Sequence, residues 1–261
     1  MNLKLTVAYD GTRFRGWARQ PGERTVESVL GASLARVFES VGTLVVAGRT
    51  DAGVHALANV ASVVVDGGPP AARAARALNA TLPADLSVVG AAAVAREFHA
   101  RFSATSRSYR YRIWRSDTRS PFEIGRSYWH PARLDLDGLA ACAELLPGEH
   151  DFRAFTPTDT QHEVFVRRIL SAHWRTTGSL VEFEVTADSF LRHMVRTLVG
   201  TMLVRSPEQF SELLAGAHRS AAGATAAAYG LYLVGVSFDT DPAHAGFPRT
   251  TVAGDPPATA G

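Results

Sequence analysis

A lone carboxylate set between two glycines stands out chemically in this 261-residue chain. In Gly48-Arg49-Thr50-Asp51-Ala52-Gly53-Val54-His55, Asp51 follows a short strand-like run, Thr43 to Ala47. Glycines permit tight backbone turns, so the loop can hold the aspartate side chain at a cleft. Arg49, two residues earlier, would orient the carboxylate and offset its charge, and an ionised carboxylate is a competent nucleophile. An aspartate closing an Asx-turn fits the same spacing equally well. A phosphate-binding loop does not fit, because Val54 and His55 stand where Lys and Ser or Thr are required.

Other chemistries find little support. No G-x-G-x-x-G follows a strand, no H-E-x-x-H occurs, and the nine histidines are scattered, so the expectation is no cofactor and no metal. His55 and His193 read as packed or hydrogen-bonding residues. Glycoside hydrolysis generally needs two carboxylates, and the Asp51 loop offers one. The single cysteine, Cys142, cannot form an internal disulfide and reads as a core residue on a helix.

The formal net charge is only +2, but its distribution is uneven. Six arginines (96, 101, 107, 110, 112 and 115) lie against one acid, Glu97, with Phe98, Phe102, Tyr109, Tyr111 and Trp114 between them. Lys4 is the only lysine, so cationic contacts fall to arginine, which suits phosphate forks and stacking. Arg110 and Arg112 are therefore expected to meet substrate phosphates; a solvated charged face is the alternative.

The elements that must position these groups are mixed. Leu3, Leu5, Val7 and Tyr9 alternate with polar or small residues as a half-buried strand does. Thr25 is a plausible N-cap for a helix with Val26, Val29, Leu30, Leu34, Val37 and Phe38 on one face. Strands are expected at Asn59 to Val65, Leu86 to Ala93 and Ser108 to Trp114, with a helix at Ala71 to Leu78. The pattern Leu136, Leu139, Ala140, Ala143 and Leu146 suits a helix ended by Gly148. Val164 to Trp174 and Leu180 to Val185 suit a hairpin turning at Thr177-Gly178. Phe190 to Arg205 reads as an apolar helix, and Ser206-Pro207-Glu208-Gln209 is a capping box opening another. Leu231 to Phe238 closes with a strand, and 240–261, rich in Pro, Gly, Ala and Thr, reads as a disordered tail. With 46% apolar and 20% charged residues and no signal-peptide or membrane-spanning pattern, a cytoplasmic protein is expected.

The stretch AGRTDAGVHA (Ala47 to Ala56) resembles the active-site segment of the TruA-type tRNA pseudouridine synthase family. YDGTRFRGW (Tyr9 to Trp17), RTVESVL (Arg24 to Leu30) and LNATLPADLSV (Leu78 to Val88) resemble further blocks of that family. So do FHARFSATSRSYRYRI (Phe98 to Ile113), GEHDFRAF (Gly148 to Phe155), FLRHMVRTLVG (Phe190 to Gly200) and GLYLVGVSF (Gly230 to Phe238). Together they run in order from about Leu3 to Phe238.

The resemblance implies an isomerase that converts uridine to pseudouridine at about positions 38 to 40 of the tRNA anticodon stem-loop, without metal or cofactor. It implies Asp51 as the nucleophile and Tyr109 as the residue stacking on the target base, a candidate for proton handling at C5. Arg49 and Arg196 would be the basic residues around the aspartate, and a homodimer would grip the tRNA. Attack at C1′ of the ribose and at C6 of the base both use one carboxylate, and both stay open. The chain departs from the family pattern at Ala18, Glu27 and Ala227. The expected architecture is α+β: two similar mixed α/β domains, 1–105 with the aspartate loop and 106–239, their largely antiparallel sheets meeting at a central RNA-binding cleft.

Overall fold

In the computed structural model, which describes residues 1–160 and 162–239, the expected alternation at the amino terminus becomes strand β1 (Asn2–Tyr9). Its Leu3, Leu5 and Val7 are fully buried. Thr25 caps helix α1 (Val26–Val37) through a capping box with Ser28, and Val26, Leu30 and Leu34 face the core. Two short strands follow, β2 (Ser40–Val41) and β3 (Val45–Val46), and then β4 (His55–Asp66). β4 begins four residues earlier than its apolar pattern indicates, which brings the strand to the end of the aspartate loop. Helix α2 (Ala71–Asn79) and strand β5 (Leu86–Val94) complete the first half.

The second half starts with β6 (Ala104–Trp114), then β7 (Tyr128–Trp129), helix α3 (Leu136–Glu144) and β8 (Gly148–Asp151). The helix stops short of Gly148, which instead takes φ +115° at the start of a strand. The expected hairpin is β9 (Val166–Thr177) and β10 (Leu180–Ala187), with Gly178 at φ +58° in the turn. Helix α4 (Met194–Met202) is shorter than the apolar run that encodes it. Phe190 to His193 stays outside the helix because His193 adopts a left-handed conformation, φ 62° and ψ 0°, as its N-cap. Helix α5 (Pro207–Leu213) follows the Ser206 capping box, and β11 (Leu231–Phe238) closes the described chain. The expected tail at 240–261 lies outside the described residues.

Among the described residues the strands form one sheet in the order β5-β1-β4-β11-β6-β10-β9-β8, with β2 and β3 on β4 and β7 on β6. The architecture is thus mixed α and β on a largely antiparallel sheet. The last strand is the join: β11 runs antiparallel to β6 but parallel to β4, pairing with it at Tyr232↔His55 and Leu233↔Ala56. This short parallel seam places the start of β4, just after the aspartate loop, beside the second half. On one face of the sheet, Tyr109, Tyr111 and Ile113 lie opposite Val185, Phe183 and Val181, all buried in the main core. The alternating residues of β6 and β10 point to the other face.

Candidate active site

The aspartate loop is held from four sides. Thr50 accepts a bond from the Trp17 N–H at 3.0 Å, and the Gly53 N–H donates to the Phe14 carbonyl at 3.2 Å. Tyr9 and Thr50 share a 2.8 Å hydroxyl bond, and Asn59 donates from Nδ2 to the Gly48 carbonyl at 2.9 Å. Both glycines sit where a side chain would be crowded or strained. A Cβ on Gly48 would lie 2.9 Å from Leu233 Cδ1, and Gly53 sits at φ +80°, where L side chains are strained. His55 closes the loop's far end. Its Nε2 donates to the Tyr229 carbonyl at 3.1 Å, leaving Nδ1 to accept from the Gly11 N–H at 3.0 Å. Burial lowers the His55 pKa, outweighing the Asp10 carboxylate 3.3 Å from Nδ1.

Asp51 then projects into a tight cavity of about 50 Å³, lined also by Arg49, Tyr109, Phe190, Arg192 and His193. Arg196, from the first turn of α4, places Nη1 2.9 Å from Asp51 Oδ2. The Arg196 Nε is anchored on the Ala226 carbonyl at 2.8 Å, so the guanidinium is fixed before it meets the carboxylate. His193 Nε2 lies 3.5 Å from the same Oδ2, and burial holds this imidazole below its ordinary pKa. Among the described residues, Oδ1 has no hydrogen-bond partner, so one oxygen is oriented and the other is left facing the cavity. Tyr109 forms the aromatic wall, packed edge-on against Phe190 at 5.0 Å and 82°. Burial, with the nearby Tyr9 and Asp51, drives its phenol pKa well above the ordinary value, so it stays protonated at neutral pH.

The expected residues are therefore distributed unequally. Asp51, Tyr109, Arg49 and Arg196 converge on one cavity. Arg49 is exposed there and makes no ion pair among the described residues; the guanidinium on the carboxylate is that of Arg196. Arg110 and Arg112 are elsewhere. They point to the opposite face of β6, where Arg110 binds Glu184 at 2.8 Å and Arg112 binds Glu182 at 3.3 Å and Glu123 at 3.2 Å. Neither reading of the arginine cluster anticipated cross-strand pairing, because Glu182 and Glu184 come from β10, about 70 residues away in sequence. His193, read from the sequence as a packed or hydrogen-bonding residue, lies beside the Asp51 carboxylate. A positive φ at a non-glycine residue carries no local signal, and His193 is the one such residue among those described.

Two departures from the family pattern touch only local structure. Glu27 accepts from the Arg19 N–H at 2.8 Å, and the Ala227 carbonyl accepts from Tyr111 Oη at 2.9 Å, a bond any residue there can supply. Among the described residues no three His, Cys, Asp or Glu side chains converge as a metal set would, and no helix is long and apolar enough to cross a membrane.

Fold and site together define an α+β protein whose two halves meet at a cavity holding one arginine-bound carboxylate and an aromatic wall. The chain belongs to the tRNA pseudouridine synthase family, whose model matches residues 5–103 and 142–239. Family members are isomerases that convert uridine to pseudouridine, and Arg49, Asp51 and Arg196 all fall inside the matched spans. The tRNA pseudouridine synthase A of Bacillus pumilus is 38% identical over 246 residues, covering 92% of this chain and 100% of the relative. That of Syntrophotalea carbinolica is 40% identical over 242 residues, covering 90% and 96%. A chain of a solved Cbf5-Nop10-Gar1 complex overlaps 91% of this chain and 50% of its own length, at 14% identity and a TM-score of 0.37.

Proposed function

We propose that this protein isomerises uridines to pseudouridine in the tRNA anticodon stem-loop, at about positions 38 to 40, as a cytoplasmic homodimer and without a small-molecule cofactor. In this reading Asp51 is the nucleophile, Tyr109 stacks on the target base, and Arg49 and Arg196 support the carboxylate. The two halves, 1–105 and 106–239, act as the two domains flanking the RNA cleft. The observation that carries the reading is the Asp51 carboxylate, with Oδ2 held by Arg196 at 2.9 Å inside a cavity walled by Tyr109.

The reaction breaks the C1′–N1 bond and makes a C1′–C5 bond; C5 loses its proton and the freed N1 gains one, so nothing is oxidised or reduced and no atom is lost. The residues present suit that balance. A carboxylate whose free oxygen faces the cavity can form and release a covalent bond, and an arginine locked on the other oxygen keeps it aimed. The uridine must leave the helical stack to reach such a cavity, and an aromatic wall offsets part of that cost. Because the Tyr109 phenol stays protonated near neutral pH, its hydroxyl enters as a hydrogen-bond donor or proton relay, not as a standing phenolate.

The test is pseudouridine mapping on tRNA from a deletion strain, before and after treatment with wild-type protein and with Asp51→Asn. Conversion at positions near 38 to 40 by wild type alone supports the assignment. Conversion at other uridines overturns the site, and an Asp51→Asn protein with a tenth or more of wild-type activity overturns the nucleophile.

A further inference from the structure

The arginine-rich stretch around residue 100 is not absorbed by the function above: Arg110 and Arg112 are closed in ion pairs, and Arg107 is buried. What it builds is a rigid loop from 95 to 103. Asn2 Nδ2 donates to the carbonyls of Ala95 at 3.0 Å and Phe98 at 2.9 Å. Ala100 is fully buried, and its N–H donates to Ser62 Oγ at 3.1 Å. The Ser103 N–H donates to the His99 carbonyl at 2.8 Å, and the His99 N–H returns a bond to Ser103 Oγ at 3.1 Å.

The two phenylalanines of this loop have opposite fates. Phe98 packs on Phe238 with ring centroids 5.1 Å apart. Phe102 is 76% exposed. Its ring is stacked on His99, centroids 4.4 Å apart and 21° from parallel, with the Arg101 guanidinium 5.5 Å from its centre. Held by this loop and by His99, the exposed ring is a flat aromatic face already in place before any partner arrives.

Arg107 registers that loop to the reaction site. From the same face of β6 as Tyr109, its guanidinium donates to the carbonyls of Arg101 at 2.7 Å, Ala47 at 3.1 Å and Asp188 at 2.8 Å. Ala47 directly precedes the aspartate loop, and Asp188 lies two residues before Phe190, the ring packed on Tyr109. Cations also gather on this side. Burial lowers the His162 pKa first, and the positive charges of Arg167, Arg101 and Arg192 lower it further. Arg192, which is paired with Asp159, also lines the Asp51 cavity.

We propose that Phe102, backed by His99 and flanked by Arg101, is a stacking platform for an unpaired base of the RNA substrate other than the target uridine. The proposal rests on the tRNA reading given above. A flat aromatic face beside guanidinium groups accepts any base by stacking, while nearby arginines meet the backbone. A single ring among arginines offers an apolar protein surface far less.

Because Phe102 is exposed, its replacement leaves the core intact, and the full chain can be assayed with unmodified tRNA transcript. Phe102→Ala is expected to raise the tRNA Kd about 5- to 150-fold, with the single-turnover rate at saturating tRNA within about threefold of wild type. Phe102→Trp should hold the Kd within about threefold of wild type, since the stacking face is kept. A Phe102→Ala protein with unchanged Kd, or a Trp variant as weak as Ala, overturns the platform. So does a Phe102→Ala variant that loses self-association while keeping its RNA affinity, which would assign the ring to a protein contact. A wild-type protein that forms no pseudouridine overturns the function itself, whereas an active wild type with an indifferent Phe102→Ala overturns only the platform.

Discussion

Strand β6 carries paired arginines on one face and the Asp51 cavity on the other, and the two regions use the same kind of bond differently. On the open face, Glu182 is engaged through both oxygens: Oε1 by Arg112 at 3.3 Å and Oε2 by Arg175 at 2.8 Å. Glu184 is likewise bound by Arg110 at 2.8 Å, with His173 3.6 Å away. On the cavity face, Asp51 meets Arg196 at a similar 2.9 Å, but through Oδ2 alone. A short arginine–carboxylate distance therefore does not mark function. What separates the two is that Asp51 retains an oxygen with no hydrogen-bond partner among the described residues, whereas the closed lattice neutralises its own charges and holds two strands in register.

The most direct way to break this contrast is to neutralise one carboxylate on each face. Asp51→Asn is expected to lower the single-turnover rate by at least about four decades, roughly 5.4 kcal/mol at 1.36 kcal/mol per decade, with tRNA affinity changed only a few-fold. Glu182→Gln should leave the rate within about threefold and instead lower unfolding stability by about 1–3 kcal/mol, because it weakens charged hydrogen bonds to a buried group. Denaturant titration of both variants beside their rates checks the pair. A Glu182→Gln enzyme as inactive as Asp51→Asn would erase the distinction between the faces.

Arg196→Ala and Tyr109→Phe sharpen the cavity side. Removing the Arg196 guanidinium frees Oδ2 and should cost about 100-fold in rate, the scale seen when one preorganised donor is lost. Tyr109→Phe keeps the ring on Phe190 but deletes the hydroxyl. A loss of about 100-fold in single-turnover rate with normal tRNA binding is expected if that hydroxyl moves a proton. Near-wild-type turnover by Phe, with activity lost only in Tyr109→Leu, would make Tyr109 a stacking residue alone.

The paired arginines yield a smaller but cleaner effect. A phosphate contact contributes a slope of about −0.7 to −0.9 in log K against log salt. Were Arg110 and Arg112 to meet phosphates, as their place in the sequence suggests, replacing either would flatten that slope. With both guanidinium groups bound to carboxylates, Arg110→Gln and Arg112→Gln are expected to leave the slope unchanged. A slope flattened by about one unit would return them to the RNA interface.

The smallest effect concerns pH. His55 is 3% exposed and has its pKa lowered by burial, so the folded state resists a proton that the unfolded chain accepts near pH 6.5. Its contribution is complete above that pH and is lost as the pH falls toward the depressed folded value, with a slope of at most about 1.36 kcal/mol per pH unit. Stability measured from pH 7 to pH 5 should fall less steeply in His55→Gln than in wild type. Equal slopes would mean that His55 charges readily in the folded state.

Local patterns were legible because their physics is local. Alternation in Leu3 to Tyr9, the Thr25 N-cap, the Ser206 capping box and the turn at Gly178 each depend on neighbours a few residues away, and each formed as expected. Where a conformation was imposed from afar, the reading slipped. The apolar run from Phe190 to Arg205 promised a long helix, but the chain turns left-handed at His193 and only then enters α4.

By itself the sequence determined the element types, the aspartate loop between its glycines and, through the joint run of motifs, the family. Only the tertiary structure decided which charges meet. Asp51 and Arg196 are 145 residues apart, and Arg110 and Glu184 are 74 apart. The side-chain period of two on β6 sends Tyr109 to the cavity and Arg110 away from it, but which face holds the cavity is settled by the packing of α4 and β11. Hydrophobic burial chooses that packing over the whole core, and the ion pairs follow from it.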